Sequence, residues 1–185
     1  MNSAFCNYLN EIGSIRNAIS FEIKEQDLGI LVDDIFFNLD KVNKQFQHQF
    51  KLFNPPVAAC AYMSRAVRVP EPNNTVLVAT IGTILSAINQ KDIEKLNNTA
   101  KQTDGSISKF KVFLESQGIN YNRETIEMLK ALNRVRSTTL HDAGPEEIEA
   151  LNKLNISSDT DDYVRALKIL QSLNKCLVEM RTWFS

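Results

Sequence analysis

The residues best suited to chemistry lie in one stretch, Leu132-Asn133-Arg134-Val135-Arg136-Ser137-Thr138-Thr139-Leu140-His141-Asp142. It holds one of the two histidines of the chain, with two arginines just before it. An imidazole with a pKa of about 6.5 can take and give protons at neutral pH. A guanidinium keeps its charge and grips phosphate oxygens through a fork of N–H donors. Side by side, the two suit cleavage of RNA: the imidazole activates a 2′-hydroxyl, and the guanidinium stabilises the charge that builds on the phosphorus oxygens. That chemistry requires no metal, and no Asp, Glu, His or Cys cluster with ligand spacing is present. Nothing calls for a cofactor either: the chain has no Gly-rich phosphate loop, no GxSxG elbow and no Walker sequence.

The stretch reads as the end of a helix running from about Asn122 to Leu140 or His141. At about 100° per residue with Ile126 at zero, Met128, Leu129, Leu132, Val135 and Leu140 fall between roughly 180° and 320°, the core-facing arc. Arg136 falls inside that arc, at roughly 280°. Arg134 and His141 fall at roughly 80° and 60°, with Ser137 and Asn133 beside them at roughly 20° and 340°. One helix thus carries a polar face of Asn133, Arg134, Ser137 and His141, and an arginine among leucines. Arg136 needs a carboxylate, a phosphate or water at the edge of the stripe, because it cannot shed its charge. Asp33, Asp34 and Asp40 are acids that could pair with it. His141, in the last turn, also suits the bland role of capping the terminal carbonyls.

These residues resemble the Arg-x4–6-His motif of HEPN domains. Arg136 to His141 has four intervening residues and Arg134 to His141 has six. The apolar run before the arginine, "MLKALNRV", and the turn after the histidine look similar as well. The resemblance implies an α-helical bundle that dimerises. In active members two copies of the motif meet at the dimer axis and form a metal-independent ribonuclease cleft. Many members are toxins or defence effectors, with a cognate antitoxin or regulatory protein; others only bind RNA or proteins. On this resemblance Arg136 is the phosphate binder and His141 the general acid or base, with Asn133, Arg134 and Ser137 in support. Two positions depart from the pattern. Ser137 stands where asparagine, aspartate or histidine is common, and Asp142 where glycine is common. A carboxylate beside the imidazole raises its pKa and repels an RNA phosphate.

The elements that must hold this segment all read as helices. Phe5, Leu9, Ile12, Ile15 and Ile19 mark a first one by their spacing. A second, from about Gln26 to Phe53, carries Leu28, Leu31, Ile35, Leu39, Val42, Phe46 and Phe50 on one stripe and would be about 40 Å long. Pro55-Pro56 ends it. "VAACAYMSRAVRV" gives a third, and "PEPNN" a loop. "TVLVATIGTIL" is β-branched, but it runs on into helical sequence and has no partner strand, so a helix capped at Asn74 or Thr75 is expected as far as "TDGS". A short helix, "ISKFKVFLESQ", then stops at Gly118. Gly144-Pro145-Glu146-Glu147 opens another, with proline first and acids in the first turn. "SSDTDD" caps the last, lined by Tyr163, Leu167, Leu170, Leu173, Leu177, Met180 and Phe184. The fold class is all-α, an irregular antiparallel bundle of five to seven helices in a single domain over residues 1–185.

Composition sets the limits. With 185 residues, 43% hydrophobic and 23% charged, the chain can build a core without staples. A net charge of −1 provides no global attraction for nucleic acid, so a polyanion needs a local basic patch. Cys6, Cys60 and Cys176 are too few and too scattered for a disulfide framework or a zinc site. They fit reduced thiols in a cytoplasmic protein. The longest apolar run, "VLVATIGTILSAI", is too short to span a membrane, which takes about 20 residues, and the N-terminus lacks a signal-peptide pattern. "DKVNKQFQHQFKLF" interleaves Lys41, Lys44, His48 and Lys51 with Phe46, Phe50 and Phe53, a pattern that can bind single-stranded nucleic acid by stacking, but at helical spacing the rings are expected in the core with the lysines on the solvated face. Arg65 and Arg68, at i,i+3, could add to a phosphate-binding face, though such a pair is more often an exposed helix surface. The expected function is an RNA-acting homodimer. The competing class is a non-catalytic helical adaptor, in which Arg136 makes a structural ion pair and His141 caps its helix.

Overall fold

A computed structural model describes residues 28–46, 51–66, 80–85, 87–139, 144–158 and 160–183, with backbone alone at 66 and 136–139. Among these residues the chain is all-α, and its helices are α1 (28–45), α2 (Val57–Ala66), α3 (80–85), α4 (Gln90–Leu96), α5 (Ser106–Ser116), α6 (Arg123–Thr139), α7 (Pro145–Lys153) and α8 (Asp162–Met180). A 3₁₀ turn, Asn98–Gln102, joins α4 to α5. The only β-type pairing among the described residues is an isolated antiparallel bridge between Phe53 and Ile88. The proposed first helix, the "PEPNN" loop and its Asn74 or Thr75 cap lie outside the described residues.

The second helix is shorter than its apolar stripe suggests. It ends at 45, and residues 51–53 are not helical. A continued helix would turn Leu52 well away from Phe46, since six residues advance the face by about 240°. The observed bend buries Phe46, Leu52 and Phe53 together. The Asn43 side chain holds the bend: its Oδ1 accepts from the Phe53 N–H at 2.7 Å and its Nδ2 donates to the Phe53 carbonyl at 2.8 Å.

The single helix expected up to residue 102 is likewise interrupted, and asparagines do the interrupting. Asn89 caps α4 by accepting from the Asp92 N–H, and Asn97 caps the 3₁₀ turn by accepting from the Thr99 N–H at 2.8 Å. Short amide side chains satisfy backbone donors locally, so they favour starting a new helix over continuing an old one.

The remaining boundaries follow their sequence signals. Gly118, at φ +65°, ends α5: its N–H donates to the Glu115 carbonyl and the Ile119 N–H to that of Leu114, the paired bonds of a Schellman motif. Asn155, at φ +57°, ends α7 in the same way, with Ile156 donating to Leu151. Asp161 caps α8 through the Tyr163 and Val164 N–H groups. Arg165 ties the preceding loop down by donating to the Ser158 and Thr160 carbonyls.

These helices share one core. Leu28, Val32, Ile35, Leu39 and Val42 of α1 pack with the buried face of α8, from Ala166 to Met180. Trp183 closes one end, stacked on Phe110 with ring centroids 6.3 Å apart and tilted against Tyr121. Between α1 and α8 runs a polar seam in which Asn38, itself buried, bonds both Asn174 and Arg181. No helix among the described residues is long and apolar enough to cross a membrane.

Candidate functional site

Helix α6 carries the residues that the sequence singles out. Asn122 caps it by accepting from the Glu124 N–H at 2.9 Å, and Glu124 adds an acid to the first turn. Its buried face is wider than the apolar stripe alone, taking in Thr125 and Ala131 as well as Ile126, Leu129, Leu132 and Val135. It packs against α5, α7 and α8. Helices on several sides fix the axial rotation of α6, and so fix which of its residues remain open.

The open side faces a groove of about 380 Å³. From α6 come Glu127, Lys130, Ala131, Asn133 and Arg134; from α7 come Ala150 and Lys153; the start of α5 contributes Gly105 to Ser108. Three cations on two helices therefore converge on one space. Each has a glutamate nearby. Lys130 contacts Glu127 at 2.8 Å, Lys153 contacts Glu149 at 2.9 Å, and the Arg134 Nε lies 3.7 Å from the Glu146 carboxylate. The Lys153 hydrogen bond, followed by the charges of Lys153 and Arg134, holds the Glu149 carboxyl below the usual range. Helix α5 begins at Gly105, φ +81°, with no side chain capping its first N–H groups. That puts the positive end of a helix dipole on the groove floor.

Of the residues expected to act, Asn133 and Arg134 lie on this groove wall. Arg136 and Ser137 are within the last turns of α6, but only their backbone is described, and His141 falls outside the described residues. Lys130 and Lys153 were not anticipated. Lys130 was open to discovery, since it lies four residues before Arg134 on the same helix; Lys153 reaches the groove only through the crossing of α7 on α6.

The other basic and thiol features behave as structure. Phe46 and Phe53 are buried, Phe46 packing edge-on against Phe110, so they offer no stacking surface. Lys44 pairs with Asp40. Arg65 is exposed, while His48, Phe50 and Arg68 lie outside the described residues. Cys60 is half-buried, with burial raising its pKa; Cys176 is buried, and desolvation pushes its thiol up to about 12. Among the described residues no three His, Cys, Asp or Glu side chains are grouped so that they could hold a metal. No family model matches the chain, and no curated protein or solved structure matches it either.

Proposed function

We propose that the chain is an RNA-acting protein of HEPN-like type, a metal-independent endoribonuclease working as a homodimer and controlled by an antitoxin or other regulatory protein. In this reading Arg136 binds the scissile phosphate and His141 is the general acid or base, with Asn133, Arg134 and Ser137 in support. The observation that carries the reading is the exposed side of α6. There Asn133 and Arg134, two of the supporting residues, stand together on the wall of an open groove that also gathers Lys130 and Lys153. A chain of net charge −1 needs such a local basic surface to attract a polyanion.

A second reading has an observation of its own. All three groove cations lie close to glutamates of α6 or α7, the pattern of a helical adaptor whose charges serve its own surface. Cleavage of bulk RNA in the presence of a chelator separates the two. The nuclease reading expects cleavage by the wild type and its loss in both Arg136→Ala and His141→Ala, with far-UV circular dichroism unchanged. Absence of cleavage by the folded wild type, as monomer and as dimer, favours the adaptor.

A further inference from the structure

The groove between α6, α7 and the start of α5 has the makings of a phosphate seat that is held in check by its own acids. Lys130, Arg134 and Lys153 approach it from two helices, and the Asn133 amide and the Ser106 and Ser108 hydroxyls stand on its lining. Hydroxyl and amide groups are the neutral donors that complete a phosphate site after cations have supplied the charge. The two α7 carboxylates near these cations are weak competitors. Glu146 and Glu149 have side chains 70% and 58% exposed, and solvent-exposed pairs of this kind contribute little. The 3.7 Å separation of Arg134 from Glu146 exceeds hydrogen-bond length. A phosphate, with more charge and more acceptor oxygens than a carboxylate, can displace both.

We infer that this groove binds a phosphate group through Lys130, Arg134 and Lys153, and that Glu146 and Glu149 of α7 compete with the ligand for the last two. Part of this rests on the RNA-acting reading, because an RNA backbone is one source of the phosphate; a free nucleotide is the other. Acids acting as built-in competitors leave a signature that a purely structural role would not. Removing them tightens ligand binding, whereas removing the cations loosens it.

The test measures binding of a labelled single-stranded RNA oligomer by fluorescence anisotropy, and of adenosine monophosphate by titration calorimetry, at low and moderate salt. Four proteins are compared: wild type, Glu146→Gln with Glu149→Gln, Arg134→Gln with Lys153→Gln, and Lys130→Gln. The acid-to-amide protein is expected to bind about tenfold tighter and the double cation variant about tenfold weaker, with a shallower salt dependence in the latter. Because the acid variant gains affinity, misfolding cannot imitate its result. Binding of the nucleotide with this pattern, and none of RNA, keeps the seat and overturns the RNA reading. RNA binding that no variant changes overturns the seat and leaves the RNA reading standing. Failure of both ligands to bind wild type and the acid variant alike overturns the seat.

Discussion

The Nδ2 of Asn38 donates to the Oδ1 of Asn174 at 2.7 Å, joining α1 to α8 across 136 positions of chain. The same Asn38 accepts from the Arg181 guanidinium at 2.9 Å, and Arg181 and Lys41 both lie over the Phe37 ring. A buried amide bonded across a helix seam fixes register, because any slide of α1 along α8 leaves a polar group without its partner.

Asn38→Ala should therefore destabilise by about 1–3 kcal/mol, read from urea unfolding, because Asn174 loses its donor in a half-buried place. Replacing both amides with leucine should recover much of that loss. A double-mutant cycle gives the coupling, and a coupling indistinguishable from zero would show that the pair does not hold the seam.

Two glycines should respond with opposite signs. Gly118 sits at φ +65°, where a Cβ is strained whatever the space around it. Gly118→Ala should cost about 1 kcal/mol. Gly29 lies in α1 with nothing within 4 Å of an added Cβ, so Gly29→Ala should stabilise by about 0.5–1 kcal/mol. Thermal melts of both variants check the contrast.

Thiol chemistry should separate the two described cysteines. With its pKa pushed up to about 12 by burial, Cys176 holds almost no thiolate at neutral pH. In a Cys6→Ser background, an aromatic disulfide reagent should titrate one thiol in the native protein, Cys60, and two after unfolding. Cys60 should itself react more slowly than a free thiol, because burial raises its pKa. Two fast-reacting native thiols would contradict the placement of Cys176.

Acid should weaken the α4 cap. The Lys95 hydrogen bond, then that of Asn89, lower the pKa of Asp92 from its ordinary 3.8. A depressed carboxyl pKa means stability that is present above the unfolded value and lost as pH falls through the folded one. Asp92→Asn should thus flatten the acid limb of the stability curve, slightly and less so at high salt, since the pair it forms with the exposed Lys95 is open to solvent. An unchanged acid limb would show that the cap does not depend on that charge.

Much of the fold could be read from the sequence, because its boundaries carry local chemistry. Pro145 after Gly144, Asp161 before α8 and Gly118 after α5 each act on the nearest backbone, and each stands where expected. The two misread stretches were decided by contacts that no local pattern displays. Asn43 closes a bend onto Phe53, ten residues on, and Asn89 is an interior helix residue by spacing alone until its amide captures the Asp92 N–H and the Lys51 carbonyl. The groove was half legible. Periodicity assigns Asn133 and Arg134 to a polar face, but Lys153 and the start of α5 reach it only through tertiary packing.

The bridge at Phe53 and Ile88 clasps the chain just before α2 to the chain just before α4. Asn54 donates to the Ala87 carbonyl at 2.9 Å and Asn89 to that of Leu52 at 2.8 Å, fastening the two ends side by side. Among the described side chains of α2 only Met63 is buried, while Val57 is 84% exposed. A helix so lightly moored can unwind and re-form as a local event, while the clasp beside it holds the entry to α4 in place.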